Sequence, residues 1–141
     1  MIYTQKTKKA MKIAFEAHNG QVDKSGVPYI YHPIHLAEQM ETEEETIVAL
    51  LHDTVEDTGV TFEELEKEFS YDIIQTLKLL THDDSVEYMD YVRTIKDNSI
   101  ARKVKLADLR HNSDESRLEH ITAKDKKRNQ KYKKAIEILS E

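Results

Sequence analysis

Four ionisable side chains fall within six positions at the end of one apolar run. In ALLHDTVEDT, Ala49 to Thr58, the core-type residues Ala49, Leu50 and Leu51 lead straight into His52 and Asp53, and Glu56 and Asp57 follow. Two more metal-type side chains stand where apolar ones are expected: His32 in YIYHP, and Asp108 in VKLADLRHN among Val104, Leu106 and Ala107. Neighbouring residues of a helix point about 100° apart, so His52 and Asp53 can straddle one ion from adjacent edges of a helix. His32 and Asp108 complete the set from two other segments. Two imidazoles and two carboxylates suit a borderline-to-hard divalent ion such as Mn²⁺, Fe²⁺ or Zn²⁺. Such an ion acidifies bound water and neutralises phosphate charge, so the donor set points to hydrolysis of a phosphoester. Taken singly, each residue has an ordinary use. His32 suits a helix junction, Asp53 an exposed site, and Asp108 has Lys105 and His111 one turn away as partners.

The elements that must position these residues read as helices throughout. Thr4 to Asn19 forms the first, with Ala10, Ile13, Ala14 and Ala17 on one face. Residues 20–31 form a loop with turn chemistry at Lys24-Ser25-Gly26. Pro33 suits the first turn of a short helix to about Met40. Thr42 with Glu45, Thr61 with Glu64, and Thr122 with Asp125 have the spacing of capping boxes. They open helices over 43–55, 61–69 and 122–139. Further helices are expected over 71–81, 85–97 and 99–118. No run alternates with period two, so no strand is expected. The expectation is an all-α bundle of seven or eight helices in one domain over 1–141.

Composition narrows the function classes. The 141 residues carry a net charge of −6, which argues against a nucleic-acid partner, because that needs a positive face. No apolar stretch approaches the roughly 20 residues of a membrane span, and the basic N-terminus lacks the apolar centre of a signal peptide. With no cysteine, any metal must be held by His and carboxylate, and a cytoplasmic setting is expected.

The motifs taken together resemble the HD-domain phosphohydrolases, above all the hydrolase domain of the RelA/SpoT alarmone enzymes and their small stand-alone versions. The matching pieces are AHNGQVDKSGVPYIYHP (17–33), ALLHDTVEDTGVTFEEL (49–65) and VKLADLRHN (104–112), in that order. FSYDIIQTLKLLTHDD (69–84) is also similar to a helix of that family. The resemblance implies a compact HD-type helical bundle. It implies one metal ion, usually Mn²⁺, on His32, His52, Asp53 and Asp108. Glu56 and Asp57 become the catalytic pair that positions and deprotonates water, and Lys24, Lys105 and Asn112 the substrate contacts. The implied reaction is removal of the 3′-pyrophosphate from guanosine tetra- or pentaphosphate. The implied partners are a small nucleotide and a second copy of the chain, with no nucleic acid and no membrane.

The chain departs from that pattern in two places. Asp23 stands where the family has an arginine that stacks on the guanine, and Ser113-Asp114-Glu115 replaces a run that includes another arginine. These changes bear on the nucleoside and leave the metal and catalytic residues intact. The alternatives are a hydrolase for another nucleotide, or a nucleotide sensor with little turnover. Of the other histidines, His18 reads as a structural histidine, with support of the metal ligands through a hydrogen bond as the alternative, and His82 reads as part of a solvated loop. The basic run KDKKRNQKYKK reads as a solvated helix face.

Overall fold

The computed structural model describes residues 1–141, and the chain is all-α. The helices run α1 (Gln5–Ala17), α2 (Tyr31–Glu38), α3 (Glu43–Leu51), α4 (Thr54–Asp57), α5 (Phe62–Glu66), α6 (Tyr71–Leu80), α7 (Tyr88–Ile95), α8 (Ser99–Asn112) and α9 (Ala123–Ser140). A 3₁₀ turn, Glu115–Arg117, follows α8, and the only pairing of extended backbone is an isolated bridge between Val22 and Pro28. No helix is long and apolar enough to cross a membrane.

The centre of the bundle is α3. Thr46 to Leu51 are all buried, and the helix packs against α1, α2, α6 and α8. Its local signals agree with that position. Thr42 accepts the amide of Glu45, and Glu43 to Glu45 place negative charge at the positive end of the helix dipole. The α1 face expected from the sequence is the one that packs, with Ala10 and Ala14 fully buried. One apolar cluster of 26 buried residues runs through the bundle, and α9 closes it by packing Ala135 and Leu139 behind α7 and α8.

Four expected helices differ in extent, and the one expected over 61–69 ends at Glu66. The segment expected over 43–55 breaks at His52-Asp53, giving α3 and α4 and raising the helical segments to nine. The cause lies in the histidine: His52 Nδ1 sits 2.7 Å from the carbonyl of Ala49. A continuing helix would offer that carbonyl to the amide of Asp53. The helix expected from Ser85 starts at Tyr88, because Glu87 rather than Ser85 caps it by accepting the amide of Asp90. The helix expected to Leu118 stops at Asn112. The loop between α1 and α2 turns at Gly26, whose positive φ of 81° an L-residue adopts only with strain. Asp23 Oδ1 accepts the amides of Ser25 and Val27 across that turn.

Candidate metal centre and cleft

The break after α3 points His52 and Asp53 toward α2 and α8. Ligand-type atoms of His32, His52 and Asp53 all lie within 4.8 Å of one another. Asp108, on the inner face of α8, places Oδ1 2.8 Å from His32 Nε2 and 3.4 Å from His52 Nε2. His52 Nε2 lies 3.6 Å from Asp53 Oδ2. The four side chains therefore meet from three segments, as the sequence motifs require, and all four are buried. The donor set fits a divalent cation. It is nitrogen and oxygen only, and Asp53 Oδ1 is a buried acceptor with no hydrogen-bond partner.

The electrostatics follow from this crowding. Burial alone lowers the pKa of His52, but Asp53 and Asp108 overcome it and push the imidazole up to about 9. Burial dominates at His32 and holds its pKa below the ordinary value. Burial would raise the Asp108 carboxyl, yet Lys105, His32 and His52 hold it well below the carboxylate range. Lys105 Nζ donates to Asp108 Oδ2 at 2.9 Å, and Asn112 Nδ2 donates to Asp108 Oδ1 at 3.0 Å. Lys105, Asp108 and Asn112 thus form one face of α8 at helical spacing.

A second layer surrounds the cluster. The Tyr29 hydroxyl donates to Asp53 Oδ2, and His18 Nε2 lies 3.3 Å from Asp53 Oδ1 without hydrogen-bond geometry. His18 Nδ1 is 2.8 Å from Gln21 Oε1, while Gln21 Nε2 donates to the Asp57 carbonyl. That carbonyl can only accept, so the Gln21 amide orientation is set, and His18 must donate through Nδ1. His18 is thus buried next to Asp53 and held by Gln21, with no hydrogen bond to the cluster residue itself.

The cluster opens on a cleft of about 270 Å³ whose lining includes Glu56, Asp57, Lys105 and Asn112. Glu56 Oε1 accepts the backbone amide of His82 at 2.7 Å. His82 is thus a wall of the cleft, half-buried against Tyr91 at a ring distance of 4.6 Å, and not a solvated loop residue. Asp57 lies at the rim. Partial burial, then Asp53 and Glu56, raise its carboxyl above the ordinary aspartate value.

Lys24 sits elsewhere. It lines an adjoining cleft of about 260 Å³, and its ammonium is 3.1 Å from the buried Asp125. Tyr29, Asn112 and Tyr132 line both clefts, so the two are neighbours. Asp23 is occupied by its turn and lies 3.6 Å from Arg117. Sequence reasoning missed Tyr29, Tyr88, Tyr91, Lys131 and Tyr132. All line the cleft, and Lys131 Nζ lies 4.2 Å from the Tyr88 ring centre. The signal in the basic run was the tyrosine at 132, four residues after Arg128 and four before Ile136, which turns one face of α9 inward.

Known proteins are similar to this chain. The chain is 37% identical over 121 residues to the guanosine-3′,5′-bis(diphosphate) 3′-pyrophosphohydrolase of Borreliella burgdorferi, covering 74% of this chain and 18% of that protein. It is 33% identical over 90 residues to the bifunctional (p)ppGpp synthase/hydrolase SpoT of Escherichia coli, covering 61% and 13%. A chloroplastic protein of Arabidopsis thaliana described as a GTP diphosphokinase, RSH1, is 54% identical over 66 residues, covering 43% and 8%. The chain spans less than a fifth of the length of these curated relatives. A solved structure of a metazoan ortholog of SpoT, a protein that hydrolyses ppGpp, superposes with a TM-score of 0.78 at 26% identity. That match covers 99% of this chain and 88% of the other. The family model of the HD domain matches residues 10–135, and the chain belongs to the HD domain family.

Proposed function

We propose that the chain is a Mn²⁺-dependent phosphohydrolase that removes the 3′-pyrophosphate of guanosine tetraphosphate or a closely related nucleotide. The observation that carries this reading is the meeting of His32, His52, Asp53 and Asp108 at one buried point, beside a cleft that also presents Glu56, Asp57 and Lys105. The substrate class comes from relatives named for hydrolysis of that nucleotide.

In this reading His32, His52, Asp53 and Asp108 hold one ion. When bound, it supplies Lewis-acid polarisation of a phosphoester oxygen and acidifies water. Asp57 takes the proton of the attacking water, and its raised pKa makes it a stronger base than a free aspartate. Glu56, tethered to the His82 amide, orients that water. Water attacks the phosphorus bonded to the ribose 3′-oxygen, that bond breaks, and the proton taken from water ends on the 3′-oxygen, which leaves as a hydroxyl. Pyrophosphate leaves, and the nucleoside keeps its 5′-diphosphate. Lys105 and Asn112 face the transferred group from α8, and Lys24 contacts the nucleotide from the adjoining cleft. Residues 1–141 act as a single HD unit in the cytoplasm, with no nucleic-acid or membrane partner and with self-association into a homodimer.

The test is product analysis with the Mn²⁺-loaded protein and guanosine tetraphosphate. The expected products are pyrophosphate and guanosine diphosphate in equal amounts. A Glu56→Ala, Asp57→Ala double variant should lose turnover and retain Mn²⁺. Full activity in that variant would overturn the assignment of the acidic pair. Tight nucleotide binding with no product over hours would favour a sensor. Asp23 favours a second reading of substrate choice, because its carboxylate and Arg117 occupy each other beside the cleft. A parallel screen of other nucleotide polyphosphates separates the two.

A further inference from the structure

Both ring nitrogens of His32 are engaged by residues one turn apart on α8. Nε2 faces Asp108 Oδ1 at 2.8 Å, and Nδ1 faces Nδ1 of His111 at 2.7 Å. His111 lies outside the cleft that holds the acidic pair. Its ring is nearly parallel to that of His32, at an interplanar angle of 6°, and stacks on His35 at a centroid distance of 4.0 Å. Its backbone carbonyl accepts Arg117 Nη1 at 2.8 Å, which ties the end of α8 to the 3₁₀ turn. A third cavity, of about 390 Å³, is lined by His32, His35 and His111 and not by Glu56 or Asp57.

An imidazole ligates a cation through an unprotonated nitrogen. For His32 Nε2 to serve, the ring's single proton must sit on Nδ1, and Nδ1–H then needs an acceptor. The atom at that position is His111 Nδ1. It can accept only if His111 is neutral with its own proton on Nε2. We infer that His111 is a positioning residue for the metal centre, which accepts the His32 Nδ1 proton and so commits His32 to ligation through Nε2. This rests on the proposed role of His32 as a ligand, and the geometry turns His111 from a neighbour of Asp108 on one helix into a partner of His32. His35 serves as the stacking partner that keeps the His111 ring in plane with His32. Such outer partners of ligating histidines typically affect metal affinity by about 10–100-fold.

The experiment is Mn²⁺ titration by calorimetry of the full chain and three variants. His111→Phe keeps the stacking surface and removes the acceptor; it should weaken Mn²⁺ binding by about 10-fold or more. His111→Asn places an amide oxygen near the lost Nδ1 and should recover most of that affinity. His32→Ala should lose high-affinity binding altogether. If His32→Ala binds Mn²⁺ like the unmodified chain, the ligand assignment fails and this inference falls with it. If His32→Ala fails to bind while His111→Phe binds within twofold of the unmodified chain, only the role of His111 is overturned. Should His111→Phe not fold, ¹⁵N chemical shifts of the Zn²⁺-loaded unmodified chain decide. A protonated Nδ1 on His32 with an unprotonated Nδ1 on His111 is expected, and a proton on His111 Nδ1 contradicts the proposal.

Discussion

Lys105 Nζ and Asp108 Oδ2 lie 2.9 Å apart, one turn from each other on α8 and largely shielded from water. Burial by itself would lower the pKa of Lys105, but Asp108 outweighs it and holds the ammonium above its ordinary value. Each charge therefore keeps the other ionised inside the bundle. Removing one partner of a buried pair costs about 3–5 kcal/mol, because the other is left uncompensated. Lys105→Met should destabilise the metal-free protein by about that amount in a urea titration. Saturating Mn²⁺ should shrink the difference, since a cation on Asp108 replaces the lost charge. A deficit that Mn²⁺ leaves unchanged would place Asp108 outside the metal set.

Tyr29 donates to Asp53 Oδ2 from the loop before α2 and lines both clefts as well as the cavity behind His32. Tyr29→Phe removes one hydroxyl and leaves the ring contacts with His18 and His32. The expected result is Mn²⁺ binding weaker by about 10-fold, with a melting temperature close to that of the unmodified chain. An unchanged dissociation constant by calorimetry would make Tyr29 a packing residue only.

His52 gives the pH dependence. Its folded-state pKa is about 9, raised from the ordinary 6.5. A raised pKa stabilises the fold fully below about 6.5, and that contribution is lost as pH rises through about 9. Metal-free protein should therefore lose stability across that window. Mn²⁺ must displace the same proton, so its affinity should rise about tenfold per pH unit between 6.5 and 9. Calorimetry in buffers of different ionisation enthalpy should show about one proton released per ion at pH 7.5. No proton release would contradict the assignment.

Asp23 has two separable roles. Oδ1 caps the turn at Ser25 and Val27, while the carboxylate charge faces Arg117. Asp23→Asn keeps the acceptor and removes the charge; it should retain stability and change the KM for nucleotide by freeing Arg117. Asp23→Ala loses both and should cost about 1 kcal/mol in addition. Mn²⁺ affinity should hold in both variants. Equal KM values in all three proteins would remove Arg117 from substrate recognition.

Much of this architecture was legible without coordinates, and for a physical reason. Helix identity follows from local signals, and Thr4, Thr42, Ser70 and Thr122 all accept amides of the first turn. The candidate metal residues were legible because ionisable side chains in apolar surroundings violate the pattern that folding otherwise imposes. His32, His52, Asp53 and Asp108 each broke it, and the structure brings all four together. What the chain alone left open depends on contacts between distant segments. The break at His52-Asp53 arises because one imidazole takes a carbonyl from the helix ladder, a competition that propensity does not register. Lys131 and Tyr132 enter the cleft because α9 packs on α8, and Tyr29 because the 20–30 loop reaches Asp53. Lys24 faces Asp125, 101 residues away, and His111 meets His32 across 79. The amino-acid sequence by itself determined an all-α chain with four misplaced metal-type side chains. Only the tertiary structure decided which outer residues hold them, because hydrogen bonds are set by ångström distances between segments that the order of residues does not encode.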